Sequence, residues 1–171
     1  MNPRTADDPE LQVALRAWDS ASTSRESSFN EPMQTRTALR DSASHQAYGW
    51  AALTSGRISA YRCDADLAEV LLTEALGRFY LVGDAYGEAM AVSHLSIPQI
   101  SRQNLDRALK FALKPLSSSI PFLDHDRVLL HNCAAQCYWS REESHHAIAH
   151  MLKSLDLARS INDSERSLVA F

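Results

Sequence analysis

Four residues have the types and spacing from which a metal site could be assembled: Cys133 and Cys137 one helical turn apart, then His146 and His150 one turn apart. Thiolate and imidazole are zinc ligands, and such pairs on two adjacent helices could in principle enclose a tetrahedral ion. Glu142 stands four residues before His146. The same positions also read as plain structure. In a helical register Cys133 and Cys137 face neighbouring helices as small apolar residues, whereas His145, His146 and His150 fall towards the outer side of the next helix. The two pairs then point apart. The expectation is a solvated histidine cluster that titrates only below about pH 6.5, with no resident metal or other cofactor.

Nucleophilic and phosphate chemistry find less support. Seven histidines and many serines guarantee accidental neighbours, but no G-x-S-x-G elbow occurs. Asp64 with Asp66 and Asp124 with Asp126 resemble paired acids, yet each pair sits at an expected helix start, where carboxylates favour the helix dipole. Gly83 and Gly87 lack both the lysine of a phosphate-binding loop and the dinucleotide-binding spacing. The chain is expected not to be an enzyme.

The bulk numbers agree with a globular protein. The 171 residues are 45% hydrophobic and 22% charged, and suffice for one domain with a proper core. The formal charge is −4, and no arginines form the dense stripe that counterion release requires, which argues against nucleic acid. Three cysteines, an odd number, suit a reducing compartment. The opening "MNPRTADDPE" is polar, and no apolar run approaches the roughly 20 residues that span a bilayer. The expectation is a cytoplasmic protein without a membrane partner.

Stepping from chemistry to the elements that would carry it, scarce glycine and proline and abundant Ala, Leu, Arg, Glu and Ser predict an all-α chain. Asp8-Pro9-Glu10 is a helix start, with Leu11, Leu15 and Trp18 at helical spacing behind it. "SASTSRESSFN" reads as a connection, and Asn30-Glu31-Pro32 opens a second helix that runs on with or without a break near Ser42. From Asp64, the residues Leu67, Leu71, Ala75 and Phe79, flanked by Ala68, Leu72 and Leu76, form one apolar stripe. Gly83 ends it in the left-handed conformation, and Asp84 caps the next helix. Residues 1–41 are thus expected to hold N-terminal helices and a Ser-rich linker, and residues 42–171 a set of repeats.

The repeat shows in the punctuation. Asp84, Asp124 and Asp163 recur at intervals of 40 and 39 residues, and Asn162 can play the part of Gly83. Leu123 cannot, so the middle turn is expected to take another route through Pro121. Before each aspartate lie Ala68-x3-Leu72-x3-Leu76, Ala108-x3-Ala112-x3-Leu116 and Ala147-x3-Met151-x3-Leu155. A fixed period of this size marks stacked helix-turn-helix units that cannot bury their faces alone. Pro98 and Pro115 fall inside two of these helices and are expected to kink them.

With Gly56, Leu95, and Ala134-Ala135, Tyr138 and Ala147 at matching positions, the stretch from Ser42 to Phe171 resembles the tetratricopeptide-repeat superfamily in its long-repeat form. The resemblance implies an α-solenoid of about three TPR-like helix-turn-helix units with an extra N-terminal helix or two. That form is similar to N-terminal regulatory regions of bacterial diguanylate cyclases and of helical-repeat transcription regulators. It implies a non-enzymatic sensory, dimerisation or interaction module binding a peptide, a partner protein or a second copy; the alternative is a small-molecule or peptide sensor domain, with a small ligand enclosed between the groove and the N-terminal helix. First helices of successive units line a groove in such folds. The corresponding residues here are Trp50, Leu53, Arg57 and Tyr61, then Met90, Ser93, Ile97 and Ile100, then Leu129, Asn132, Gln136 and Trp139. The competing expectation is that Leu11 to Trp18 fold back and fill that groove as core. "SERSLVAF" reads as an unfinished first helix, so the chain is expected to be a fragment, with Leu168, Val169 and Phe171 as an interface.

Overall fold

Backbone punctuation sets where each element begins and ends. The computed structural model describes residues 8–23 and 30–169, with side chains within 8–20 and 30–162. Among them are eight helices and no strand: α1 (Pro9–Thr23), α2 (Asn30–Ala38), α3 (His45–Tyr61), α4 (Ala65–Val82), α5 (Ala85–Ser101), α6 (Leu105–Leu116), α7 (Asp124–Ser140) and α8 (Ser144–Val169). The all-α expectation holds. α1 starts on the Asp8 carboxylate, whose Oδ1 accepts the Glu10 and Leu11 amides at 3.0 and 3.1 Å. It runs through Ser20–Thr23, which the composition had suggested as linker. The break before α3 is real, and Ser44 caps α3 by accepting the Ala47 amide at 3.2 Å.

Gly83 has φ of 68° and Asp84 accepts the Gly87 amide at 2.9 Å, as the turn signal requires. Three further left-handed residues are not glycine: Cys63, Gln103 and Glu142, with φ of 64°, 58° and 63°. Each follows an arginine (Arg62, Arg102, Arg141), and the amide after each reaches back five residues, from Asp64 to Ser59, Asn104 to Gln99 and Glu143 to Tyr138, at 3.0, 2.9 and 2.9 Å. Asp84 closes on Phe79 in the same way at 3.0 Å. These bonds satisfy carbonyls that the helix ends leave orphaned. The α6–α7 connection departs from the pattern. α6 stops at Leu116, residues 117–123 are irregular, and Leu123 in an extended conformation precedes α7.

One expected turn does not form. α8 continues through Asn162 and Asp163 as a single helix. Asn and Asp cost only a few tenths of a kcal/mol inside a helix, so α8 keeps its backbone bonds through them at little cost. Pro98 and Pro115 lie near the ends of α5 and α6 and split neither helix.

Each helix packs on its successor, and α1, α3, α5 and α7 also touch in that order. The main core holds Leu11, Leu15 and Trp18 of α1 with Tyr48, Trp50, Leu53, Leu72, Phe79 and Met90. Phe79 is fully buried, and a Cβ on Gly87 would come within 2.5 Å of its ring, so only glycine lets α5 approach there. The alanines that open the three repeat stripes, Ala68, Ala108 and Ala147, are all 0% exposed, as close helix pairing requires. Polar ties follow the same order. Glu74 of α4 accepts Tyr48 Oη at 2.6 Å and Arg36 Nη2 at 2.7 Å, and Arg141 reaches Asp106 at 2.8 Å while Arg102 pairs with Asp66 and Glu69.

Candidate functional site

The face built by α1, α3, α5 and α7 divides into a filled half and an open half. In the filled half Trp50, Leu53 and Met90 are 2%, 0% and 1% exposed, and α1 lies in the same core. The Trp18 ring meets Trp50 edge-on at 5.5 Å and His94 at 5.7 Å, with the Arg57 guanidinium 3.9 Å from its centroid. Arg57 also donates from Nη2 to the Trp18 carbonyl at 3.3 Å. Burial lowers the Arg57 pKa, while Tyr61, Asp126 and Asp19 oppose that shift through their charges. These four groove residues therefore act as core, and the competing expectation for α1 holds for them.

Two buried polar groups mark this half. Burial, reinforced by Arg57, depresses His94 to about 3, so it is neutral at physiological pH. Among the described residues, both His94 ring nitrogens and Trp50 Nε1 lack a hydrogen-bond partner. Trp50 also walls a cleft of about 700 Å³, together with Trp18, Tyr86, Pro121 and Asp126 among others. Asp126 accepts the Tyr86 hydroxyl at 2.9 Å, yet burial outweighs that bond and pushes its carboxyl above the usual range.

In the open half Tyr61 and Trp139 stand at the ends of α3 and α7, 62% and 60% exposed, with Ile97 half-buried and Gln136 exposed. Desolvation by the surrounding protein pushes the Tyr61 phenol pKa up, with the Arg57 charge opposing it. Ser93 and Ile100 are buried and Leu129 is half-buried. Asn132 is exposed, and its Oδ1 accepts the Ser154 hydroxyl of α8 at 2.7 Å, which ties α7 to α8.

The sulfur and imidazole pairs are not brought together. Cys133 and Cys137 pack with Ile100, Ala108, Ala112 and Ala134 in a second core, where burial pushes both thiols up, Cys137 to about 11. His146 is exposed and stacks on Tyr138 at 5.0 Å, and His150 lies against His131. Among the described residues no group of three or more metal-ligating side chains forms. Asp64 caps α4 through the Leu67 amide at 3.1 Å, as its position implied. No helix among the described residues is long and apolar enough to cross a membrane. Leu168, Val169 and Phe171 lie outside the described side chains. Upstream of them α8 exposes Ile148, Met151, Leu152 and Leu155 at 51%, 46%, 55% and 45%.

Comparison with protein-family models, with curated proteins and with solved structures finds no match.

Proposed function

We propose that this chain is a non-catalytic interaction module of the helical-repeat kind, and that the open half of its first-helix face binds a peptide segment of a partner protein. The observation that carries this reading is the exposure of Tyr61 and Trp139 at 62% and 60%, with Gln136 exposed and Ile97 half-buried on the same set of helices α3, α5 and α7. Monomers normally bury such rings, whereas interfaces use rigid aromatics as anchors and amides to hold a backbone. The aligned order of α3, α5 and α7 and the recurring turns at Cys63, Gln103 and Glu142 support the tetratricopeptide-like reading. In a bacterial signalling protein such a module would collect a partner or a second copy next to an effector domain. A random peptide display library selected on the immobilised chain tests this. Enrichment is expected on the native chain and not on the Tyr61→Ala, Trp139→Ala double variant, in which both replaced rings are largely exposed. Equal enrichment on both would remove the assignment.

A second reading, a small-molecule sensor, rests on a different observation. The cleft of about 700 Å³ beside α1 has the size of a ligand site, and Trp50, whose buried Nε1 has no partner among the described residues, is one of its lining residues. A ligand accepting from Trp50 Nε1 would satisfy it. Screening metabolites by thermal shift against the native chain and Trp50→Phe separates the two readings, since peptide capture at Trp139 does not use the indole N–H of Trp50.

A further inference from the structure

Arginine is the default cation of this chain. Of the 17 Lys+Arg residues only Lys110, Lys114 and Lys153 are lysines. All three line one cleft of about 840 Å³ between α6, the 117–123 segment, α7 and α8, and Arg127 joins them. Lys110 and Lys114 are one helical turn apart on α6, but Arg127 and Lys153 lie on later helices, so no basic run announces the set. Among the described residues none of these four cations is ion-paired, although Arg36, Arg102, Arg107 and Arg141 all are. Asp156 is the lone carboxylate on the wall. Four unpaired cations facing one cleft of a chain with net charge −4 repel one another, and the single Asp156 carboxylate on the wall offsets only part of that repulsion.

Two imidazoles complete the polar side. His131 Nδ1 lies 2.9 Å from His150 Nδ1, so one ring donates and the other accepts, and the pair is not doubly charged. The rest of the wall is apolar, with Leu113, Ile120 and Phe122 among the lining residues.

We propose that this cleft binds a small phosphorylated organic anion, with the phosphate held by the three lysines and Arg127 and the organic body laid against Leu113, Ile120 and Phe122. Lysine ammonium groups meet phosphate as compact point charges, and arginine adds a planar fork. The volume lies within the range of small-ligand sites. A nucleic acid would need the cations spread along a surface rather than gathered into a cleft. Burial, and after it the charges of His150, Lys153 and Arg127, depresses His131 to about 4, and burial lowers His150 as well. A bound dianion would offset those cations and raise the His131 midpoint. The other charged or titratable groups facing this pair are Lys110 and Lys114 on α6 and Asp156 on α8, which line the same cleft, and His146 on α8, whose charge helps lower His150.

The test titrates inorganic phosphate and phenyl phosphate, at constant ionic strength and neutral pH, into the full chain while NMR follows the His131 and His150 ring protons. Both are expected to saturate at one site. Phenyl phosphate should bind at least tenfold tighter than phosphate, and the His131 midpoint should rise when it is bound. Lys114→Gln with Lys153→Gln should weaken binding at least tenfold, while Arg40→Gln, an exposed cation outside the cleft, should leave it within twofold. Acetic anhydride labelling read by mass spectrometry supplies a measurement free of variants, in which phenyl phosphate should protect all three lysines together. Absence of saturation, equal affinity for the two probes, or an equal effect of Arg40→Gln would each overturn the proposal. So would tighter binding to phosphatidic acid vesicles or to duplex DNA than to phenyl phosphate.

Discussion

Replacing Trp18 by alanine isolates what holds α1 in the first-helix face. The indole is 9% exposed and touches Trp50, His94 and Arg57 at 5.5, 5.7 and 3.9 Å. Two edge-on aromatic contacts contribute about 1 kcal/mol each, and a desolvated cation–π contact about 2 kcal/mol. Their sum agrees with the roughly 3–5 kcal/mol that Trp→Ala costs in cores. The Arg57 bond to the Trp18 carbonyl survives, because it uses the backbone. At about 2–4 °C per kcal/mol for a chain of this length, the melting temperature should fall by roughly 8–16 °C. Thermal melting followed by circular dichroism reads the change, and Trp18→Phe should fall between the two. A fall of under about 3 °C, within what a surface change produces, would refute the docking of α1 through this ring.

The other predictions concern the core and its titrating groups. Gly87→Ala places a Cβ 2.5 Å from the buried Phe79 ring, and a denaturant melt should show a loss of about 1–3 kcal/mol despite alanine's better helix propensity. His94 has an ordinary pKa of 6.5 when unfolded and about 3 when folded. Its contribution is therefore fully present above pH 6.5 and is lost as the pH falls towards 3, which amounts to about 2 kcal/mol at pH 5. Between pH 7 and pH 5 the native chain should lose about that much more stability than His94→Leu, and parallel losses would contradict the buried neutral imidazole. In a thiol titration Cys63, which is exposed, should react at once, and buried Cys133 and Cys137 only after unfolding.

The helix starts at Asp8, Asp64 and Asp84 and the stop at Gly83 were legible because each uses a residue whose side chain or missing Cβ does the work locally. The turns at Cys63, Gln103 and Glu142 were not, since the left-handed residue there carries a side chain. The signal lay one place earlier, in Arg62, Arg102 and Arg141 at intervals of 40 and 39 residues. Asn162 showed the converse failure, a good turn residue left inside a helix. For the site, helical register put Trp50 and Trp139 on first helices but could not say which of them α1 would cover. That depends on tertiary packing, here of Trp18 on Trp50 across a connection and a further helix. The lysine cleft escaped because it joins three helices and shows no linear cluster.

The division of the first-helix face into filled and open halves is tested most directly by acrylamide quenching of the three tryptophans, with Trp139→Phe to assign the components. The account predicts one readily quenched tryptophan that disappears in the variant, with Trp18 and Trp50 protected at 9% and 2% exposure. Two or three accessible tryptophans would mean that α1 does not fill the face. No accessible tryptophan would mean that Trp139 is covered and the proposed partner surface is not open.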